Sequence, residues 1–286
     1  MTAFTVLMPL YHGDAAAFLA QGLDSLFEGQ ELLPSQVVLV QDGPVGSDLA
    51  AVVADWANRP EVTVVRLATN QGISAALNAG LAVCRHPIVA RADADDLTLP
   101  GRFAAQVPMV AGGLDLVGGA MLELAEAAPA AKRQAAGDGI VRQYPLTQGE
   151  IERFARLHNP FAHPTVVFRT SLVKQAGGYP PLNGFEDYLL WARLLQAGAK
   201  VANTDQVVVA YRVSRAAYAR RGGLKTALSE VKLQRTFKAM GFTSRRQAVL
   251  GTLLRVGFEL APVGWRQRPL RRALRAGNFG TTKSAL

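Results

Sequence analysis

The sequence predicts an α/β fold in which a mostly parallel central sheet is flanked by helices, followed by a basic helical C-terminal extension. Two observations predict the sheet. Apolar strand-like runs alternate with helical segments, and these runs are apolar throughout instead of alternating with polar residues. Strands of that kind are covered on both faces, as in parallel sheets. A third observation, the concentration of Lys and Arg after residue 210, predicts the extension.

The first half of the chain contains four strand-like runs, at residues 4–9, 36–41, 62–67 and 87–92. Helical segments lie between them, at residues 14–28, 47–56 and 73–83. Asp42 and Asp93 each stand at the carboxyl end of a predicted strand. Because ligands bind beyond the carboxyl ends of parallel strands, this placement is the first indication of a site.

The second half of the chain is less regular. We expect strands at residues 114–124, 165–169 and 207–213, a helix at 185–196, and a loop rich in Ala and Gly at 125–139. From residue 222 onward the pattern is helical and basic. No internal repeat is visible.

The composition is that of a globular chain, with 286 residues, 49% hydrophobic and 19% charged. The single cysteine, Cys84, excludes an internal disulfide framework and favours a reducing, cytoplasmic setting. No basic segment precedes the first apolar run, so we expect no signal peptide. No apolar run approaches the roughly 20 residues that a spanning helix needs, so we expect no membrane crossing.

Charge is distributed unevenly along the chain. Residues 1–210 contain 14 Lys/Arg and 20 Asp/Glu, whereas residues 211–286 contain 17 and 2. Near the C-terminus, arginines surround apolar side chains in a mixture suited to a lipid headgroup layer. These residues are Trp265, Arg266, Arg268, Leu270, Arg271, Arg272, Leu274 and Arg275. We expect peripheral binding to an anionic membrane, with a solvated basic helix as the alternative.

The strongest local signal is the acidic turn Asp93-Ala94-Asp95-Asp96. Three carboxylates in four residues repel one another unless a cation or solvent relieves them. In an extended segment Asp93 and Asp95 point the same way, so both can hold a hard divalent ion through oxygen. The alternative is a solvated turn that caps the following helix.

The second signal is the acidic pair Glu186-Asp187 near the start of a predicted helix. A carboxylate there can act as a general base towards an acceptor hydroxyl. The helix dipole also favours a carboxylate at that position, so a purely capping role is the alternative.

Five segments occur in an order that resembles the family 2 glycosyltransferases of the GT-A fold, particularly bacterial polysaccharide-building members. They are TVLMPLY, VVLVQDGP, NQGISAALNAG, the DADD turn with a proline four residues on, and GFEDYLLW. The resemblance covers about residues 4–213. It implies a catalytic domain at residues 1–213, with a nucleotide-sugar half at about 1–112 and an acceptor half at about 113–213, and the extension at 214–286.

The resemblance also implies a metal-dependent, inverting enzyme. Such an enzyme moves a sugar from a nucleotide-diphospho-sugar, here expected to be a UDP-sugar, onto an acceptor hydroxyl. Mn²⁺ or Mg²⁺ is the implied cofactor. The implied acceptor is a saccharide or lipid-linked saccharide in the synthesis of bacterial cell-surface polysaccharide or glycolipid.

Site residues follow from the matching motifs. At the nucleotide end, Pro9 and Tyr11 would line the pocket and Asp42 would hydrogen-bond the base. Asn70, Gly72 and Asn78 would support the nucleotide and sugar phosphates, although turn chemistry explains the first two and helix packing the third equally well. Asp93 and Asp95 would serve the ribose and the metal, with Asp96 close by. Asp187 would be the catalytic base, with Glu186 beside it.

Three further residues are weaker candidates. His163 could touch diphosphate, metal or acceptor, but a loop histidine is also often structural. Arg212 could neutralise the leaving diphosphate or lie on the surface. Trp191 could stack on an acceptor sugar or pack in the core.

Departures from the family pattern limit what is implied. Gln41 precedes Asp42 where many relatives carry a second acidic residue, so base recognition is expected to be looser. The Gln-x-x-Arg-Trp motif of processive synthases is missing, which favours addition of one sugar at a time.

Two other function classes stay open at the level of sequence. A sugar nucleotidyltransferase also combines an α/β sheet with acidic metal ligands, but its first loop is usually Gly-rich and basic, and residues 10–14 contain no Lys or Arg. An inactive nucleotide- or carbohydrate-binding relative is disfavoured by the intact acidic motifs. A dehydrogenase is disfavoured because no G-x-G-x-x-G follows the first strand. No nucleic-acid partner is expected, because no zinc-ligand set or RNA-binding aromatic motif is present.

Overall fold

The computed structural model of the protein describes residues 2–125, 140–182, 184–213 and 224–260. The first half consists of β1 Thr5–Tyr11, α1 Ala16–Asp24, β2 Gln36–Asp42, α2 Ser47–Trp56, β3 Val62–Leu67, α3 Ile73–Val83, β4 Ile88–Arg91, β5 Leu97–Thr98 and α4 Arg102–Ala111. The second half consists of β6 Leu116–Ala125, β7 Ile140–Arg142, α5 Gln148–Phe154, a 3-10 turn His163–Thr165, β8 Val167–Arg169, α6 Thr170–Gln175, α7 Glu186–Gln196 and β9 Val201–Val213. Two helices follow, α8 Leu224–Ala239 and α9 Arg245–Leu260.

The described strands form one sheet in the order β3-β2-β1-β4-β8-β6-β9-β5, with β7 paired to β6. The pairs β3–β2, β2–β1, β1–β4 and β6–β9 are parallel. Antiparallel pairs join β4 to β8, β8 to β6 and β9 to β5. The expected mostly parallel sheet is confirmed, and each of its antiparallel pairs includes a strand from the second half of the chain.

Both faces of the first strands are buried, which explains why they are apolar throughout. Alternate residues of a strand point to opposite faces. On β1, Val6 and Met8 belong to one core cluster and Leu7 to the other. On β2, Val37 and Val38 are divided between the clusters in the same way. Helices therefore cover the sheet on both sides.

Strand β9 starts at Val201, six residues before the expected start at residue 207. The added residues are largely polar, so their composition alone does not indicate a strand. They are extended because β6 supplies a parallel partner, with Leu116 opposite Val201, and the register shifts where the polar residues interrupt it. The predicted loop at 125–139 lies almost entirely outside the described residues.

The described part of the C-terminal extension is helical, as expected. Helix α8 packs on α7, where the ring centroids of Phe237 and Tyr188 are 4.9 Å apart and Leu233 is fully buried. No helix in the described ranges is long and apolar enough to cross a membrane. The arginines around Trp265 lie outside those ranges, and the division into domains stays a prediction.

Candidate active site

One cavity of about 660 Å³ opens at the carboxyl ends of β1, β2 and β4. Its volume lies in the usual range for small-ligand sites. Ten of the residues that the sequence singles out line it: Pro9, Tyr11, Asp42, Asn70, Gly72, Asp93, Asp95, His163, Glu186 and Arg212. Asn78, Asp96, Asp187 and Trp191, which the sequence also singles out, are not among the lining residues. The parallel sheet thus brings together side chains that are far apart in sequence.

The acidic turn forms a compact cluster. One carboxylate oxygen from each of Asp93, Asp95 and Asp96 lies within 4.8 Å of the others. Burial, and then the charge of Asp93, raises the pKa of Asp95 to about 6. Burial, and then the charges of both neighbours, also raises the pKa of Asp96. Three carboxylates held this close favour a bound cation, because a cation relieves the repulsion.

Two arginines flank the acidic turn. Arg91, the buried last residue of β4, forms an ion pair with Asp93. Arg212 on β9 donates from its side chain to the Asp95 carbonyl and to Gln21 Oε1 (2.6 Å). The Arg212 backbone N–H donates to Asp96 Oδ1 (3.1 Å). Arg212 is only 5% exposed, so the surface alternative for it is wrong.

The orphaned oxygen of Asp96 fits a metal. Asp96 Oδ2 is buried and has no hydrogen-bond partner in the described part of the chain. An unsatisfied buried carboxylate oxygen is costly, and a divalent ion would satisfy it. The donors of the cluster are all carboxylate oxygens, the type that Mg²⁺ and Mn²⁺ accept. The residues present therefore fit a divalent cation.

At the nucleotide end, Asp42 organises the loop before α3. Its two carboxylate oxygens accept from the backbone N–H groups of Gln71 (2.7 Å) and Gly72 (2.8 Å). Gly43 adopts φ +85°, and a Cβ there would lie 2.5 Å from the backbone nitrogen of Asn70. Asn70 itself donates to the Asp42 carbonyl at 3.3 Å. The loop is held in place before any ligand arrives, and it presents Asn70 and Gly72 to the cavity.

Asn78 lies on α3 and is bonded to a distant segment of the chain. Its amide donates to the Tyr179 carbonyl (2.8 Å) and accepts from the Tyr179 backbone N–H (2.8 Å). Both ends of the amide are therefore used by the backbone of a distant segment. Asn78 therefore supports the wall of the cavity, as the packing alternative expects, and its role towards the nucleotide stays a prediction.

The two residues of the acidic pair, at the start of α7, have different surroundings. Glu186 lines the cavity and accepts from the Gly184 N–H (2.8 Å), whereas Asp187 Oδ2 accepts from the Asn159 side chain (2.7 Å). Neighbouring residues in a helix point about 100° apart, so only one of the two faces the cavity. Burial, and then the charge of Asp187, raises the pKa of Glu186 to about 7. Burial also raises the pKa of Asp187, against the hydrogen bond from Asn159.

His163 lies on the cavity wall as a neutral ring. Its Nε2 is 3.2 Å from the Tyr179 hydroxyl, and its ring contacts Trp191. Burial, and then the charge of Arg91, holds the pKa of His163 well below its usual range. Trp191 is fully buried against Phe161 and Tyr179, so it packs in the core and does not stack on an acceptor.

Sequence reasoning missed several residues of the cavity. The most important is Arg91, a charged residue that ends a buried apolar strand directly before the acidic turn, and that position was its available signal. Asp14 accepts from the Tyr11 backbone N–H (2.9 Å) and Phe18 packs under the Arg212 guanidinium, 4.5 Å from its ring centroid. Tyr211 also lines the cavity. These three have no motif-like spacing.

A sheet whose carboxyl edge carries an acidic turn that could hold a cation, with a second carboxylate in the same cavity, fits a nucleotide-sugar transferase of the GT-A type. The family model described as "Glycosyl transferase family 2" matches residues 5–172, more than half of the chain. The chain belongs to glycosyl transferase family 2 and is a glycosyltransferase. The family match confirms the resemblance seen in the motifs. It supports a glycosyltransferase over the nucleotidyltransferase alternative.

Similar curated proteins cover nearly the whole chain. The amylovoran biosynthesis glycosyltransferase AmsE of Erwinia amylovora is 38% identical over 91% of this chain and 95% of its own length. The UDP-Gal:alpha-D-GlcNAc-diphosphoundecaprenol beta-1,3-galactosyltransferase of Escherichia coli is 32% identical over 95% of this chain and 96% of its own.

Solved structures share the fold at low identity. S. aureus TarS 1-349, in complex with UDP-GlcNAc, has a TM-score of 0.62 at 18% identity over 82% of this chain and 66% of that one. The mannosyltransferase PcManGT of Pyrobaculum calidifontis, in complex with GDP-Man and Mn²⁺, has a TM-score of 0.60 at 20% identity over 99% and 76%. At these identities the likeness shows the GT-A fold alone.

Proposed function

We propose that this glycosyltransferase moves a sugar from a UDP-sugar to a hydroxyl of a saccharide or lipid-linked saccharide, with inversion, in the synthesis of a bacterial surface polysaccharide or glycolipid. The observation that carries the proposal is the presence of two separate acidic sites in one cavity, the turn at Asp93–Asp96 and the carboxylate of Glu186. The two similar curated proteins support the substrate class, because one is named for amylovoran synthesis and the other for a UDP-Gal donor and a diphosphoundecaprenol-linked acceptor.

The donor would bind with its nucleotide towards the ends of β1 and β2. Pro9 and Tyr11 would line that end, and the Asn70–Gly72 loop would offer polar groups to it. Asp42 already accepts two backbone N–H bonds, but each carboxylate oxygen has a second lone-pair site for the base. Pre-ordering the loop through Asp42 lowers the entropy cost of binding.

Asp95 and Asp93 would hold Mn²⁺ or Mg²⁺, with Asp96 beside them. When bound, such a cation neutralises negative charge on the leaving diphosphate and orients it. Arg212 lines the same part of the cavity and adds positive charge there. The ion pair with Arg91 orients the Asp93 carboxylate.

The acceptor hydroxyl must lose its proton as it attacks the anomeric carbon from the face opposite the leaving diphosphate. Sequence motifs favour Asp187 for this task. The geometry favours Glu186, because its carboxylate lines the cavity while that of Asp187 is bonded to Asn159. We therefore put Glu186 first and Asp187 second as the base. A raised pKa of about 7 suits Glu186 for proton transfer near neutral pH.

A lipid-linked acceptor would make contact with a membrane useful. On α9, Val249 and Leu253 are 54% and 67% exposed, while the small residue Ala248 is buried. Arg245 and Arg246 lie beside this apolar stripe. Among the exposed side chains described on α8 and α9 none is acidic. The stripe therefore suits an anionic lipid surface, on the inner face of the cell membrane.

Vesicle binding tests the membrane part of the proposal. We expect co-sedimentation with anionic vesicles at low salt, weakened by Leu253→Asp and by 0.5 M salt. Binding to neutral vesicles alone, or an unchanged Leu253→Asp variant, would contradict it. Dimerisation through the stripe would appear as a concentration-dependent mass without lipid.

The reaction itself is tested by its products. Purified protein is incubated with Mn²⁺, a panel of UDP-sugars and GDP-sugars, and a synthetic lipid-diphosphate-linked saccharide. We expect release of a free nucleoside diphosphate together with an extended saccharide of inverted anomeric configuration. Release of pyrophosphate would indicate nucleotidyl transfer, and sugar binding without turnover would indicate an inactive relative.

A further inference from the structure

Arg102 is a fully buried cation beneath the acidic turn, at the first position of α4. Its guanidinium donates to the Arg91 carbonyl (2.6 Å), to Thr98 Oγ1 (3.3 Å) and to Gln106 Oε1 (3.3 Å). All three acceptors are neutral, and Arg102 has no ion-pair partner within the ranges that the structure describes. It does not line the cavity.

The first two acceptors stand on either side of the acidic turn. Arg91 is the last residue of β4, two positions before Asp93, and Thr98 follows Asp96 by two positions in β5. A single planar guanidinium therefore joins both ends of the turn and fixes the distance between them. Arg has the rigid fork of donors that such a bridge needs, whereas Lys has a single ammonium.

The bridge extends to the neighbouring 3-10 turn through Gln106, four residues along the same helix face. Gln106 donates to the Thr165 carbonyl at 2.9 Å. Thr165 ends the 3-10 turn that begins at His163. The same pair of side chains on α4 thus ties the acidic turn to the turn that carries His163.

Burying a guanidinium costs desolvation free energy that an apolar side chain would not cost. We therefore expect the benefit of Arg102 to lie in the geometry that its hydrogen bonds impose on the turn. Burial, and then the charge of Arg91, lowers the pKa of Arg102 to about 9, against the charges of Asp96 and Asp93. The group is therefore still charged at neutral pH. Its charge also faces the same carboxylates that a metal would approach from the cavity.

We propose that Arg102 is a positioning residue that sets the spacing of the Asp93, Asp95 and Asp96 carboxylates and thereby tunes metal affinity, without touching metal or substrate. This inference rests on the metal site of the proposed function. Outer groups that orient metal ligands typically change metal affinity or activity by 10–100-fold when they are removed.

The test compares matched variants by their Mn²⁺ dependence. Mn²⁺ is titrated at a fixed UDP concentration, and the metal concentration for half-maximal thermal stabilisation is read for each variant. Arg102→Lys keeps the charge and loses the bridge. Arg169→Lys is the control, because Arg169 donates to the Val110 (2.6 Å) and Leu114 (3.2 Å) carbonyls, the first at the far end of α4 and the second just beyond it.

We expect Arg102→Lys to raise the half-saturating Mn²⁺ concentration about 10–100-fold. We expect Arg169→Lys to leave it within about twofold, because Arg169 is remote from the turn. Excess Mn²⁺ should restore most of kcat in Arg102→Lys, since no group that contacts the reacting atoms has been lost. Should Arg102→Lys fail to fold, Thr98→Val removes one end of the bridge and is expected to shift the same midpoint in the same direction, by less.

Three results would overturn the inference. One is an unchanged midpoint in folded Arg102→Lys, or in Thr98→Val where Arg102→Lys does not fold. Another is an equal shift in Arg169→Lys, which would mean general loosening of α4. The third is a wild-type protein whose stability does not respond to Mn²⁺ with any nucleoside diphosphate, which would overturn the metal site together with the bridge.

Discussion

The two acidic sites of the cavity are built differently although both are buried. The turn at Asp93–Asp96 has arginines on both sides and, within the described ranges, a buried Asp96 oxygen without a hydrogen-bond partner, which suits a site that receives a cation. Glu186 accepts a backbone N–H instead, and its pKa of about 7 lets it exchange a proton near neutral pH. Burial is the main cause of the raised pKa values at both sites, so the difference between them lies in their neighbours: three clustered carboxylates flanked by arginines in the turn, and a backbone N–H at Glu186.

The largest expected effect comes from removing a carboxylate of the acidic turn. Asp95→Ala removes a ligand from the cluster, so we expect loss of Mn²⁺-dependent UDP binding and of transfer by at least about 10³-fold, with the fold retained. Calorimetric titration of UDP with Mn²⁺ measures the first and product release the second. Asp48→Ala, which changes an exposed acid on α2, should be unaffected. Normal UDP affinity in Asp95→Ala would remove the turn from the mechanism.

A smaller effect is expected from removing the cation that balances Asp93. Arg91→Met leaves that carboxylate without its buried partner, and breaking such pairs costs about 3 kcal/mol, at the lower end because Asp93 is partly exposed. Urea unfolding measures this loss, with exposed Arg85→Met as the control. If Arg91→Met were as stable as Arg85→Met, the ion pair would not balance the turn.

The smallest effect is expected on protein stability when Glu186 is replaced. Burial raises the pKa of Glu186 from 4.5 to about 7, so the folded protein loses stability as pH rises through that window and the side chain ionises. Glu186→Gln avoids this loss, and we expect it to be more stable than wild type by about 2 kcal/mol at pH 6. The difference should vanish below pH 4.5, where both side chains are neutral. Equal thermal stability of the two proteins at pH 8 would mean that ionisation of Glu186 does not destabilise the folded protein.

Local patterns predicted much of the fold and of the site. The apolar strands and the acidic turn after β4 are short-range features, and their position at the strand ends brought Asp42 and Asp93 into one cavity. Long-range contacts could not be predicted in this way. Asn78 bonds to Tyr179, 101 positions away, and nothing near Asn78 indicates that partner. Which residue of the acidic pair lines the cavity depends on the rotation of α7 about its axis. That rotation is set by the packing of α7 against α8 and the core.

Polar strand residues and buried charges were the other weak points. Residues 201–206 are extended because β6 pairs with them, although their composition is typical of a loop. Arg91 and Arg102 are charged residues in a buried layer, where sequence reasoning expects apolar side chains. Arg91 and Arg102 both lie beside the acidic turn. Their positions fit the rule that residues in conflict with the surrounding packing often mark functional sites.

The assignment of Glu186 as the base is tested by the transfer rates of Glu186→Gln and Asp187→Asn, measured side by side with saturating donor and Mn²⁺. Each change keeps the size of the side chain and removes its basicity. The geometry predicts that Glu186→Gln keeps Mn²⁺-dependent UDP binding and loses transfer by about 10²–10⁴-fold, while Asp187→Asn loses less. A dead Asp187→Asn beside an active Glu186→Gln would contradict this account and return the base to Asp187. If both variants stay active, the base lies elsewhere in the cavity, with His163 the next candidate.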